Sequence, residues 1–125
     1  MLIPDDLRYS NDHEWLRVDG NRITVGITDY AQDALGDVVF VQLPTVGTQV
    51  DEGQSISEVE STKSVSDIYA PVTGRIVAVN DDLSVTPEVL NADPYGAAWL
   101  FVIEVDNPDM SSLLDAAAYQ KLTES

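Results

Sequence analysis

The chain has 125 residues, 44% hydrophobic and 22% charged, the composition of one globular domain with its own core rather than of a disordered tail. Its 22 Asp and Glu against 6 Lys and Arg give a formal net charge of -16 at pH 7. That field repels phosphate backbones and anionic lipid, which argues against nucleic acid and membrane surfaces as partners, and it either speeds encounters with basic patches on proteins or serves solubility alone. With no cysteine, disulfides and thiol chemistry of the protein's own are excluded, so a redox role needs a borrowed group. The longest apolar run, Ala97 to Ile103, is too short to cross a bilayer, and no basic or apolar leader opens the chain at Met1 to Asp6. A cytoplasmic protein of bacterial type is expected, with a mature organellar form whose leader has been replaced as the alternative.

In chain order, Glu14 to Val18 and Ile23 to Gly26 are β-prone runs joined by the turn residues Asp19-Gly20-Asn21. Thr28 is placed to cap a short helix through Asp29 to Leu35, which Gly36 stops in a left-handed conformation. Val38 to Leu43 resumes strand. From Val50 onward short strands are punctuated by Asp51-Glu52-Gly53, Ser61-Thr62-Lys63-Ser64, Pro71-Val72-Thr73-Gly74 and Asn80-Asp81-Asp82. That rhythm predicts a small barrel or sandwich, and Gly53 and Gly74 on either side of Lys63 read as two similar β halves joined at one hairpin. Pro87 starts a single helical turn over Glu88-Val89-Leu90 that Asn91 ends. Asp93-Pro94-Tyr95-Gly96 turns into a last strand, Trp99 to Val105. Ser112 with Asp115 forms an approximate helix-start box, and Leu113, Leu114, Ala117, Ala118 and Leu122 supply an amphipathic face to a terminal helix over about 110–122. Trp15, Tyr30, Phe40, Trp99 and Phe101 are expected in the core, and Gly26, Gly36 and Gly74 at demanding backbone positions.

The conventional parts of an active site are missing. One histidine, His13, and no cysteine leave no transition-metal spacing, while Asp5-Asp6 and Asp81-Asp82 lack the alternating ligands and glycine of a calcium loop. There is no phosphate-cradling glycine loop and no nucleophile elbow. One residue stands out instead. Lysine occurs at two positions only, and while Lys121 falls in the terminal helix, Lys63 lies between two strands with the small side chains of Thr62 and Ser64 beside it. A modifying enzyme needs such a presented amine, because an ammonium buried or paired along a strand can neither reach an active site nor lose its proton there.

The segment Glu60-Ser61-Thr62-Lys63-Ser64-Val65-Ser66-Asp67-Ile68-Tyr69-Ala70-Pro71-Val72-Thr73-Gly74 resembles the lipoylation segment of glycine cleavage H proteins. The resemblance continues through His13-Glu14-Trp15, Val25 to Gln32, Leu35 to Val41 and Asn91-Ala92-Asp93-Pro94-Tyr95, in order over nearly the whole chain. Ser57 and Ala98 stand where the family often has glycine, and both remain small. Ala34 stands where some members carry histidine, so no role of that side chain transfers.

The resemblance implies a mostly β, lipoyl/biotinyl-like barrel-sandwich hybrid of two small sheets, a single domain over 1–125 with a core over 23–105, short helices and a C-terminal helix. It implies lipoate joined by an amide to Lys63, within an attachment motif of Glu60, Ser61, Thr62, Ser64 and Asp67. The protein would be a carrier and not an enzyme, and a monomer. The lipoyl arm would accept the aminomethyl group of glycine from a pyridoxal-phosphate decarboxylase (P protein) and present it to a tetrahydrofolate-dependent aminomethyltransferase (T protein). Dihydrolipoamide dehydrogenase (L protein) would then reoxidise it, and lipoate-attachment enzymes complete the partners. Glu14 is implied as an acceptor for the cationic amine, with Asp67 near the arm. Two other carriers fit the lysine alone: an H-like protein that relays lipoyl groups, and a lipoyl domain serving a 2-oxo-acid dehydrogenase. An enzyme built on His13 and nearby carboxylates is the reading from a different class. Biotinyl domains usually place methionine on both sides of the lysine, unlike Thr62 and Ser64.

Overall fold

A computed structural model describes residues 2–106 and 113–124. Among the described residues nine short strands carry the fold: β1 (Arg8–Tyr9), β2 (Glu14–Asp19), β3 (Arg22–Ile27), β4 (Val38–Gln42), β5 (Gln49–Val50), β6 (Ser55–Ser61), β7 (Val65–Tyr69), β8 (Gly74–Val79) and β9 (Phe101–Glu104). Three helices accompany them: α1 (Asp29–Leu35), α2 (Val89–Ala92) and α3 (Ala116–Glu124). The strands form two antiparallel sheets, one of order β1-β2-β3-β9-β8-β5 and a smaller one of order β4-β6-β7. The mostly β, two-sheet architecture expected from the sequence is the one observed. Among the described residues, no helix is long and apolar enough to cross a membrane.

The alternating apolar residues of both sheets meet in one core that includes Leu16, Ile23, Val25, Val41, Val59, Ile76, Phe101 and Ile103, all at most 2% exposed. Burial on this scale, at roughly 25 cal/mol per Å² of apolar surface, is what holds two such small sheets together. Residues 49–79 make one long hairpin: β5 pairs with β8 in the large sheet, and β6 pairs with β7 in the small one. The chain changes sheets where Gly53 N–H donates to the Ala70 carbonyl at 2.8 Å and Ala70 N–H to that of Gln54 at 2.8 Å. Lys63 is at the tip. The two halves expected around it are thus the two arms of this hairpin.

The capping signals of α1 match the structure. Thr28 Oγ1 accepts from Ala31 N–H at 3.2 Å, and Gly36 closes α1 at φ +81 with its N–H on the Gln32 carbonyl at 3.0 Å. Later elements shift. Pro87 precedes α2 instead of starting it, and Asn91 lies inside that helix. There its side chain donates to Gly36 O at 2.8 Å and Gln32 Oε1 at 3.0 Å and accepts from Val38 N–H at 2.9 Å, fixing the end of α1 against the start of β4. Asp81–Ser84 is a 3-10 turn, and β1 had no sequence signal.

The terminal helix departs most. Residues 110–112, which include Ser112, lie outside the described residues. Leu113 and Leu114 precede the helix because Leu114 is held extended, exchanging two backbone hydrogen bonds with Tyr9 at 2.8 and 2.7 Å. Asp115 is the actual start, its Oδ1 accepting from Ala118 N–H at 2.8 Å. The buried face is set by Tyr119, 0% exposed, while Ala117 and Leu122 are exposed. Phe40 also departs from its expected place in the core. A register shift between Val38 and Phe40 breaks the alternation of β4, so Val39 and Phe40 both face outward at 53% and 49% exposure. Tyr30 and Trp99 are half-buried, whereas Trp15 and Phe101 are core residues as expected.

Candidate functional site

The tip that carries Lys63 is a closed turn. Ser61 N–H donates to the Ser64 carbonyl at 2.8 Å, and Ser61 Oγ accepts from the N–H groups of Lys63 at 3.2 Å and Ser64 at 3.1 Å. Thr62 N–H donates to the Asp37 carbonyl at 3.1 Å, tying the tip to the segment between α1 and β4. The backbone under Lys63 is therefore fixed while residues 62–65 remain exposed. Among the described residues no hydrogen bond or ion pair holds the Lys63 ammonium. Its stem lies over Gly36, where an added Cβ would stand 3.2 Å from Lys63 Cε. Rigid backbone with a free amine is the geometry a modifying enzyme requires.

Beside the tip is a cleft of about 300 Å³ between α1 and β7, with the loop before β2 at one side. Ile27, Ala31, Ala34, Leu35, Val65 and Ile68 supply its apolar wall, and Asp12, His13, Tyr30, Ser64 and Ser66 its polar edge. An aliphatic chain ending in a small sulfur ring suits such a wall, and the exposed Lys63 is at its mouth, so the residues present fit a lipoyl arm. Asp67 is exposed, alternates with the lining residues Ser66 and Ile68 along β7, and faces Glu58 across the strand pair. It belongs to the outer face of the small sheet with Glu58 and Glu60, not to the cleft lining. Ser57 is buried, with its hydroxyl donating to the Gln42 carbonyl, and Ala98 is fully buried, so both small residues are accommodated in the packing.

Glu14 is 1% exposed, behind the cleft at the start of β2. Its Oε1 accepts from Ser10 Oγ at 3.0 Å and its Oε2 from Tyr69 N–H at 2.8 Å. Burial outweighs both bonds and pushes its pKa up to about 8, which leaves a largely protonated acid at neutral pH. His13 has φ +66, a left-handed backbone that is rare outside glycine. Its carbonyl accepts from Thr28 N–H at 3.1 Å, and its ring stacks on Tyr30 at 4.6 Å between centroids. Its Nδ1 is 2.8 Å from Tyr119 Oη, which is itself 2.7 Å from Thr28 Oγ1. Burial lowers the His13 pKa, with Asp12 opposing, and raises that of Tyr119 to about 12. The link to Tyr119 spans 106 residues and had no local signal. Among the described residues there is no group of three or more His, Cys, Asp or Glu side chains that could hold a metal ion.

A two-sheet β domain that presents one lysine at a rigid tip, beside a cleft with few reactive groups, is a carrier of a tethered group. The family model for the glycine cleavage H-protein matches residues 7–125. The chain is 59% identical over 125 residues to the glycine cleavage system H protein of Nocardia farcinica, with 95% of each chain covered. It is 57% identical over 126 residues to that of Mycobacterium bovis (BCG Pasteur), with 94% of each covered. The crystal structure of a glycine cleavage system H protein from Mycobacterium marinum superposes with a TM-score of 0.90 at 44% identity, covering 98% of this chain and 100% of that one. The chain belongs to the glycine cleavage H-protein family, whose members are lipoyl carriers and not catalysts.

Proposed function

We propose that Lys63 carries lipoate as an amide and that the lipoylated chain shuttles the aminomethyl group of glycine between the P, T and L proteins of glycine cleavage. The observation that carries this reading is the free Lys63 ammonium on a hydrogen-bonded tip, at the mouth of an apolar cleft. When bound, the lipoyl group supplies the dithiol chemistry that a chain without cysteine lacks. The protein's own contributions are tethering, docking and exclusion of water.

Tethering turns successive bimolecular encounters into local ones, at effective concentrations of about millimolar. The apolar wall of Ile27, Leu35, Val65 and Ile68 receives the arm and keeps solvent from the carried group. We assign Glu14 as the acceptor for the carried amine. An ammonium docked nearby would oppose the burial that now keeps this acid neutral and draw it into the charged form. Glu58, Glu60 and Asp67, on the outer face beside the tip, are assigned to encounters with basic patches on the partner and lipoate-attachment enzymes. The net charge of -16 supports such steering. The setting we assign is the bacterial cytoplasm.

Peptide mass spectrometry of native protein tests the attachment: a lipoyl mass on Lys63 is expected, and an unmodified or biotinylated lysine overturns it. Reconstituted glycine decarboxylation with the other three proteins is expected to require lipoylated chain and to vanish for Lys63→Arg. Unchanged activity of that variant would refute the shuttle.

A further inference from the structure

The terminal helix α3 reaches the cleft through a chain of hydroxyl groups that fixes the protonation of its histidine. Thr28 Oγ1, on a fully buried residue, already accepts the capping bond from Ala31 N–H at 3.2 Å. Its own proton then has one partner among the described residues, Tyr119 Oη at 2.7 Å. With that oxygen accepting, the Tyr119 hydroxyl proton points to His13 Nδ1 at 2.8 Å. If His13 Nδ1–H instead donates to Tyr119, either the Thr28 or the Tyr119 hydroxyl proton is left without an acceptor among the described residues, at a cost of about 1–3 kcal/mol. The favoured arrangement runs Ala31 N–H to Thr28, Thr28 to Tyr119, and Tyr119 to His13. The imidazole is then neutral, with its proton on Nε2.

We propose that Tyr119 is a positioning residue of the arm cleft: it holds His13 as the neutral Nε2–H tautomer, so that the arm docks against an uncharged, oriented wall. This rests on the cleft being the arm's dock. Several constraints converge on the same ring. The left-handed His13 backbone is held through its carbonyl by Thr28 N–H, and the ring is clamped between its stack on Tyr30 and its bond to Tyr119. Tyr119 is in turn stacked on Tyr9, with ring centroids 4.7 Å apart. A backbone strained in this way persists only where its surroundings over-determine it.

The consequence for the arm is electrostatic. A protonated His13 could not accept from Tyr119, and it would place a positive charge on the wall that receives a cationic amine. The titratable groups that face it are Asp12 from its own loop, Tyr30 from α1 and Tyr119 from α3. Glu14, adjacent in the chain, has its carboxylate oxygens on Ser10 and Tyr69. From β7 the cleft receives only the uncharged Val65, Ser66 and Ile68.

His13 is the chain's one histidine, so its ring nitrogens can be read by NMR without assignment ambiguity. In unlipoylated wild-type protein a protonated Nε2 and a bare Nδ1 are expected, and a protonated Nδ1 would overturn the proposal with no variant needed. Tyr119→Phe keeps the stack on Tyr9 and removes only the hydroxyl. It is expected to mix the tautomers and raise the His13 pKa, whereas an unchanged tautomer and pKa refute the positioning role. In lipoylated protein, alkylation of the reduced lipoyl thiols by iodoacetamide is expected to run about three- to tenfold faster in Tyr119→Phe than in wild type, the value of one net hydrogen bond. Lowering the pH through the His13 pKa should produce the same acceleration in wild type once each rate is divided by that of free dihydrolipoamide at the same pH, which removes the common loss of thiolate. Equal rates despite an altered tautomer would refute control of the arm. A chain that is never lipoylated would instead refute the shuttle while leaving the NMR result standing.

Discussion

Replacing Glu14 with Gln changes one proton site and little volume. In the folded chain the acid titrates at about 8 because burial outweighs the bonds from Tyr69 and Ser10, whereas in the unfolded chain it returns to its ordinary 4.5. Between those values the folded state holds a proton that the unfolded state has lost. The sign follows: this contribution is fully present below 4.5 and is lost as pH rises through 8. The slope is about 1.4 kcal/mol per pH unit where the two occupancies differ by one proton, and about 5 kcal/mol accumulates over the whole interval. That is a large part of a domain's stability of about 5–15 kcal/mol. His13 acts in the opposite sense, since its lowered pKa makes the unfolded chain bind more protons as pH falls below 6.5. Self-repulsion of the net charge adds a background. Both are common to the two proteins and cancel in the difference. Urea titrations followed by tryptophan fluorescence at a series of pH values, for wild type and Glu14→Gln, measure that difference. The variant's stability minus that of wild type should climb by about 1.4 kcal/mol per unit from pH ~5.5 to ~7.5. Parallel curves would refute a buried neutral acid at this position.

Three glycines give further tests. An added Cβ at Gly26 would stand 2.5 Å from ring carbons of Trp15, whose indole is anchored by Nε1–H on the Pro94 carbonyl at 2.8 Å and by Arg17 over its face. Gly26→Ala should therefore lower stability by about 1–3 kcal/mol in denaturant titrations and shift the tryptophan emission, and a neutral result would contradict the close approach. At Gly36, φ +81 and ψ -155 is a region essentially reserved for glycine, so Gly36→Ala should cost about 1–3 kcal/mol. Gly20→Ala, in an open turn at φ +62, should cost less by the same assay, because there is no neighbour within 4 Å.

What was legible in the sequence was local. Thr28 and Gly36 bracket α1 because capping is decided within four residues, and Lys63 could be placed on a tip because strand patterns flank it closely. The displaced readings each involve a distant partner. Leu114 looked helical until Tyr9, across the chain, held it extended, and the helix then had to start at Asp115. Phe40 looked like core, but one extra residue in β4 turned it outward, and hydrophobicity alone carries no sign of a bulge. Glu14 was expected at the arm as an acceptor. Its burial outweighs the bond from Tyr69, 55 residues away, and makes it an acid with a pKa of about 8.

On the reading proposed above, Glu14 and His13 serve the same end. A carrier must hold its cargo between partners and release it to each, so a group beside its cleft that becomes charged only towards the cargo suits it. A permanently charged carboxylate would bind any cation, and a charged imidazole would repel the intended one. In this fold burial raises the pKa of Glu14 to about 8 and lowers that of His13, so both shifts favour the neutral form. On the reading proposed above, an incoming ammonium induces a charge on Glu14 that is lost again when the ammonium leaves. Binding energy of this kind falls on the loaded arm and not on the empty one.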